Sequence, residues 1–265
     1  MSRFLFLTGI GRSGTTVLRT SLGQHPQIYY NGKENNIVQD LVEVAQRNCT
    51  RHSRKVAMVV DQARYEEIFR ETIQSLLWPD AARRALPTLM AAINIEGAHL
   101  DHLLQIFPDA KVVALVRNGI EVVASRLRYE SFASHPFKSH CRVWNRSYGV
   151  TQWGTNNPDS YRLLRHEWFY QPAVLKQKLN ELYQWLNLEP SDIPFESIAG
   201  SLRHPTGDDQ SIDGNNFASS SEQKKRQYFL SKRNRWNDWS EQQHELFASE
   251  CGEFMKLMNY PIPWT

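Results

Sequence analysis

The 265-residue chain lacks any apolar run near the ~20 residues that a helix needs to cross a bilayer, which argues against a membrane span. Its start carries Arg3 and only a short apolar stretch broken by Thr8 and glycines, too little for a secretory signal. Cysteine is scarce: Cys49, Cys141 and Cys251 form an odd set without metal-ligand spacing. They predict reduced, partly buried thiols rather than a disulfide or zinc framework. A net charge of +3 is too small to point to nucleic acid by itself, and no internal repeat or heptad array is present. These absences leave a cytoplasmic globular protein, with a length sufficient for one large α/β domain or two small ones.

What is there alternates. Strand-like runs at residues 4–8, 56–61, 91–95, 111–117 and 161–166 are interleaved with helix-like segments at 15–23, 36–47, 64–77, 100–107 and 119–129. Several runs are too apolar to be half exposed, so the expected fold is α/β, a central parallel sheet covered by helices on both faces. The last third reads as helical. Pro172 sits at a helix start, and Val174, Leu175, Leu179, Leu182, Tyr183 and Leu186 follow at helical spacing. Ser240 and Glu241 open a capped terminal helix that ends near Asn259. The polar, Gly/Ser/Asp/Asn-rich stretch within 203–226 predicts a mobile loop.

Two stretches carry chemistry. After the first apolar run comes Gly9-Ile10-Gly11-Arg12-Ser13-Gly14-Thr15-Thr16, leading into a helix. Strand, glycine-rich turn and helix start make a phosphate cradle, because backbone N–H groups and the helix dipole converge on one anion. The Gly9-x4-Gly14 spacing matches an ATP-type P-loop, yet Thr15 stands where that motif needs Lys; the cation is in the turn, as Arg12. The second stretch runs from Phe107 through an apolar strand to Arg117, with Ser125 eight residues later in the next helix. A forked guanidinium and a hydroxyl from adjacent elements suit a phosphate monoester.

Gly11-Arg12-Ser13-Gly14-Thr15-Thr16 resembles the 5′-phosphosulfate loop of sulfotransferases that use 3′-phosphoadenosine-5′-phosphosulfate (PAPS). Val116-Arg117 with Ser125 resembles their 3′-phosphate motif. His25-Pro26 after the loop, and Phe107-Pro108-Asp109-Ala110-Lys111 before the strand, are nearest the tyrosylprotein-like, microbial branch. The resemblance implies a P-loop-like single sulfotransferase domain over residues 1–265, with PAPS as donor, PAP as product and no metal. The acceptor would carry a hydroxyl (a glycan, a phenol or tyrosine, or a small molecule). Nucleic acid is not an expected partner. Residue by residue, Gly11, Arg12, Ser13, Gly14, Thr15 and Thr16 match the phosphosulfate site, and Arg117 and Ser125 the 3′-phosphate site. Lys232 and Arg233, in a stretch ending Trp236-Asn237-Asp238-Trp239, resemble a further 3′-phosphate grip, with Asn where the family has Gly. His166-Glu167 stands where the family has a Tyr-Glu pair near the adenine, so His166 is a base-contacting candidate. Glu34 matches the branch's catalytic Glu with one residue of extra spacing, which makes it the candidate base for the acceptor's proton, beside the catalytic cation Arg12.

One departure stands out. The family usually places a Lys where this chain reads Ala91-Ala92-Ile93-Asn94-Ile95-Glu96-Gly97-Ala98-His99, and none is there. Arg12 alone, or Lys33, Arg83 or Arg84, are the substitutes the sequence offers. Two other readings stay open. A small-molecule kinase would want Lys at position 15 and an Asp for magnesium at position 117. A non-catalytic homologue would bind PAP or a polyanion; Lys224-Lys225-Arg226 suits the latter.

Overall fold

Period-two burial builds the sheet from its central strand outward. In β1 (Arg3–Gly9), Leu5 and Leu7 belong to one hydrophobic cluster and Phe6 to another, on the opposite face. The computed structural model describes residues 3–52, 61–78, 86–190 and 235–264. Besides β1 these contain β2 (Ile28–Asn35), β3 (Thr88–Ile93), β4 (Lys111–Val116) and β5 (Tyr161–Arg165). All pair in parallel, in the order β2-β3-β1-β4-β5. The described helices are α1 (Thr15–Leu22), α2 (Ile37–His52), α3 (Gln62–Leu77), α4 (Leu100–Ile106), α5 (Gly119–Arg128), α6 (Glu130–Ala133), α7 (Phe137–Asn156), α8 (Pro172–Trp185) and α9 (Glu241–Leu257).

On one face Phe6, Ala91, Ile93, Val112 and Ala114 pack on α2, α3 and α4 through Val42, Leu77 and Leu103. On the other, Leu5, Leu7, Met90, Val113 and Leu115 pack on α1 and α8 through Leu18, Leu22, Leu175 and Leu179. Each of the Leu, Val, Ile, Met and Phe side chains among these contributes about 1.5–3 kcal/mol on burial. A third cluster joins α5, α7 and α9 around Trp144, Phe247 and Phe254. Helix α9 starts with a capping box, Ser240 with Gln243, as Ser240 predicts. Because β1 lies between β3 and β4, the connections diverge at its carboxyl end. That divergence opens the crevice where parallel sheets bind ligands.

Four expected strands are present, within a few residues of their expected bounds. The expected strand at 56–61 is not confirmed: residues 56–60 lie outside the described residues, and Asp61 is the N-cap of α3, accepting from the Arg64 N–H. The loop at 203–226 also lies outside them. Three elements were unforeseen: β2, α7 and the four-residue α6. β2 is apolar only in its first three residues; between Tyr30↔Met90 and Glu34↔Ala92 its register slips at a bulge, with Gly32 at φ 79°. The bulge breaks the alternation by which a strand is read. Helix α7 buries His140, Ser147 and Thr151 along with Trp144 and Val150, so its inner face does not look apolar.

Helix α7 approaches the turn after β3 very closely. A Cβ on Gly97 would sit 2.4 Å from the backbone carbon and oxygen of Gly149, whereas a Cβ on Gly149 meets nothing nearer than 3.9 Å. Gly97→Ala should therefore lower stability by about 1–3 kcal/mol, measured by urea unfolding. Gly149→Ala, inside a helix, should be neutral or stabilising by up to about 1 kcal/mol. Equal effects of the two would contradict this packing.

Candidate active site

The loop between Gly9 and Thr15 turns in a confined space. A Cβ on Gly9 would lie 2.7 Å from Thr15 Cγ2 and 2.8 Å from the Leu115 carbonyl, so glycine lets β1 and α1 meet β4. Gly14 caps α1 at φ 92°, and a Cβ there would lie 2.5 Å from the His166 ring. Arg12 also takes a left-handed φ of 81°, a conformation that costs a non-glycine residue roughly 1–2 kcal/mol. Three contacts hold it. Its carbonyl accepts from Arg117 Nη1 at 3.1 Å, its Nε donates to Ser125 Oγ at 3.0 Å, and its guanidinium lies 4.7 Å from the Tyr129 ring centroid. The Ser13 N–H closes the turn onto the Ile10 carbonyl at 2.9 Å. The N–H groups of Gly14, Thr15 and Thr16 have no acceptor among the described residues, the usual state of a helix start.

The facing wall comes from β4 and α5. Arg117 stands at the carboxyl edge of the strand, where its carbonyl accepts from Trp144 Nε1 at 3.0 Å. Its Nε and Nη2 donate to Glu121 Oε2, at 3.0 and 2.8 Å. Glu167 accepts the Asn118 N–H at 3.0 Å and the Tyr260 hydroxyl at 2.8 Å, which anchors the start of α5 to the C-terminal segment. One residue past Ser125, Arg126 is buried with its guanidinium 4.1 Å from the Phe132 centroid.

Cations dominate. Burial and then Arg117 hold the Arg12 guanidinium below the usual arginine range. Burial, Arg146 and Arg12 do the same to Arg126. Neither Arg12 nor Arg126 has a carboxylate partner among the described residues, so the pocket favours an anion.

Of the expected site residues, Gly11 to Thr16, Arg117 and Ser125 come together here, with Arg12 bonded directly to Ser125. His166 is 3% exposed, with its ring edge against Gly14 and its other neighbours Phe169 and Tyr170. Glu34 lies on the edge strand β2, its backbone in register with Ala92, which pairs with Leu7. Lys232 and Arg233 lie outside the described residues. Sequence reading missed Arg126 and Glu121. For Arg126 a signal existed: it falls at helical spacing from the buried Val122 and Val123, a charge on an apolar face. No group of three or more His, Cys, Asp or Glu is placed to hold a metal among the described residues.

Burial, then Arg117, keeps His166 neutral, well below its ordinary range. The unfolded chain therefore binds the extra proton first, and stability present above pH ~6.5 is lost as pH falls below it. The unfolding free energy should drop between pH 7 and 5, with this histidine contributing up to about 1.4 kcal/mol per pH unit. His166→Gln should flatten that slope in urea titrations. An unchanged slope would show that the ring is not held neutral.

Residues 5–192 match the model of the sulfotransferase family. Protein-tyrosine sulfotransferase 1 of Danio rerio is 25% identical over 150 residues, covering 54% of this chain and 41% of that protein. The chain thus aligns with about two fifths of that relative's length. The sulfotransferase domain of the Synechococcus PCC 7002 olefin synthase superposes with a TM-score of 0.59 at 15% identity, over 99% of this chain and 96% of that one. A mouse sulfotransferase in complex with PAP gives 0.50 at 14%, over 97% and 88%. With the family match spanning well over half its length, this chain belongs to the sulfotransferase family.

Proposed function

We propose that the protein, as one domain over residues 1–265, transfers the sulfuryl group of PAPS to a hydroxyl-bearing acceptor. The observation that carries this reading is the meeting of Arg12, Arg117 and Ser125 at the carboxyl end of the sheet. A donor with two phosphate positions needs two adjoining anion sites, and the loop and the β4–α5 edge supply them. The loop N–H groups, Arg12 and the Thr15 and Thr16 hydroxyls would hold the 5′-phosphosulfate. Arg117 and the Ser125 hydroxyl, which keeps its own proton to donate while accepting from Arg12, would hold the 3′-phosphate. The turn Arg235–Asp238 lies against α5, with Arg128 3.4 Å from Asp238. That neighbourhood supports assigning Lys232 and Arg233 to the same phosphate.

In an in-line step the acceptor oxygen attacks sulfur as the bond to the bridging oxygen breaks, and that oxygen keeps the electron pair. Arg12 would stabilise the charge gained by the 5′-phosphate, in a loop already shaped for it. Glu34 would take the acceptor's proton; its strand, next to β3 and one removed from β1, supports that role. His166 would act mainly as the wedge under Gly14, and an adenine contact would need its buried ring uncovered. PAP in the mouse neighbour supports this donor chemistry, and the protein-tyrosine sulfotransferase similarity makes tyrosine the first acceptor to try.

PAP without magnesium should raise the melting temperature, while ATP with magnesium should not. Labelled sulfate should pass from PAPS to a tyrosine peptide, a simple phenol or a glycan. Arg12→Ala should abolish transfer, and Arg117→Ala should weaken PAP binding roughly 10- to 100-fold by calorimetry. Stabilisation by ATP and magnesium alone would overturn the reading in favour of a kinase. Binding of PAP with no transfer to any acceptor would leave a nucleotide-binding protein without this activity.

A further inference from the structure

Among the described residues, Arg126 is the one Lys, Arg, Asp or Glu side chain that is buried, at 7% exposure. A buried charge is costly unless an opposite charge or several hydrogen bonds offset it. The described fold gives it little of either. Its Nε donates to His140 Nδ1 at a long 3.4 Å, and its guanidinium lies over Phe132. No described carboxylate pairs with it. The fold nevertheless holds the group in place. Phe132, from α6, covers its plane, and burial with the nearby Arg126 keeps His140 of α7 neutral, so that Nδ1 can accept. Its Nη1 is the one atom within 4 Å of where a Cβ on Gly11 would be, which places the terminal nitrogens beside the loop. Arg12 stands next to Gly11 on the chain, and the two guanidinium groups are close enough to repel one another.

Two positive charges held against one loop with no counter-ion among the described residues are a site for a doubly charged anion. A phosphosulfate carries one negative charge on each of its two groups. We propose that Arg126 is a second cation of the transfer site, contacting the 5′-phosphosulfate on the Gly11 side of the loop while Arg12 contacts it from the Ser125 side. In the transfer step, the sulfur–oxygen bond to the 5′-phosphate breaks and the acceptor oxygen bonds to sulfur. The acceptor's proton passes to the base, and the phosphate keeps the electron pair. Arg126 stays protonated throughout and stabilises the phosphate's added charge. The inference rests on the PAPS reading above and deepens it, because it assigns a residue to one end of the nucleotide.

The test compares PAP with adenosine 3′-monophosphate, which lacks the 5′-phosphate, using calorimetry on the full chain. Arg126→Gln should weaken PAP by roughly tenfold or more and leave the monophosphate unchanged. Arg117→Ala should weaken both. In turnover, Arg126→Gln should lower kcat beyond the change in donor KM, and Arg126→Lys should restore part of it. A residue with only a structural role would lose fold stability instead. For that reason Arg126→Met, which keeps the bulk and removes the charge, is the second variant. Its ligand-free melting temperature should equal or exceed that of the wild type, while the PAP-induced rise should shrink. Unchanged PAP affinity and kcat in Arg126→Gln, with the wild type binding PAP and transferring sulfate, would overturn the inference alone. A wild type that binds no PAP would overturn it together with the donor reading.

Discussion

The hydrogen bond from the Arg117 guanidinium to the Arg12 carbonyl joins two pieces of chain more than a hundred residues apart, and the site depends on it. It ties the carboxyl edge of β4 to the loop leaving β1, and it holds Arg12 in a left-handed conformation that the residue would not adopt alone. From that conformation Arg12 can turn its side chain to Ser125 on α5 and lie over Tyr129. The same loop can then reach Gly14, whose own left-handed turn fits only because His166 presents a ring edge to a residue with no side chain. Behind Arg117, Trp144 and Glu121 fix the strand end, and Glu167 fixes the start of the next helix. Each contact is worth about a kilocalorie per mole, but together they leave the loop one shape.

That shape concentrates positive charge. Arg12, Arg117 and Arg126 stand near one another, and only Arg117 is met by a carboxylate, Glu121, among the described residues. Burial first, and then the repulsion, depresses the affinity of Arg12 and Arg126 for their protons and weighs against the folded state. A ligand with several negative charges relieves it. Stability given up without the ligand is returned on binding, as expected of preorganised anion sites. The chain has no Lys across residues 91–99, and the site's described cations come from the loop, the carboxyl edge of β4 and α5.

Much of this was legible in the sequence. Strands β1, β3 and β4 carry apolar runs because both faces of the sheet are covered there, whereas the edge strand β5 shows only Leu163 and Leu164 between two arginines. The glycine spacing at 9, 11 and 14 exposed the loop; a tight approach requires glycine at 9 and 14, while a Cβ on Gly11 would meet only Arg126 Nη1 at an ordinary 3.7 Å. β2 was hidden by its bulge, and α7 by the polar groups on its buried face. Arg126 was hidden by a sound general rule, that an arginine in a helix is solvated; its spacing from Val122 and Val123 hints at the exception, and the packing of Phe132 and His140 shows it. His166 and Glu167 were found as a pair, but the three-dimensional contacts distribute their work. The histidine supports the loop, and the glutamate anchors α5 and Tyr260. Lys232 and Arg233 fall outside the described residues, and what the structure adds to their sequence reading is the turn Arg235–Asp238 beside Arg128 of α5.

We propose the loop and the β4–α5 edge as two adjoining phosphate sites in a fixed orientation. A crystal structure with PAP tests it most directly. The 5′-phosphate should lie on the N–H groups of Gly14, Thr15 and Thr16, and the 3′-phosphate on Arg117 and the Ser125 hydroxyl. A nucleotide bound in the reverse orientation, or away from this loop, would contradict it.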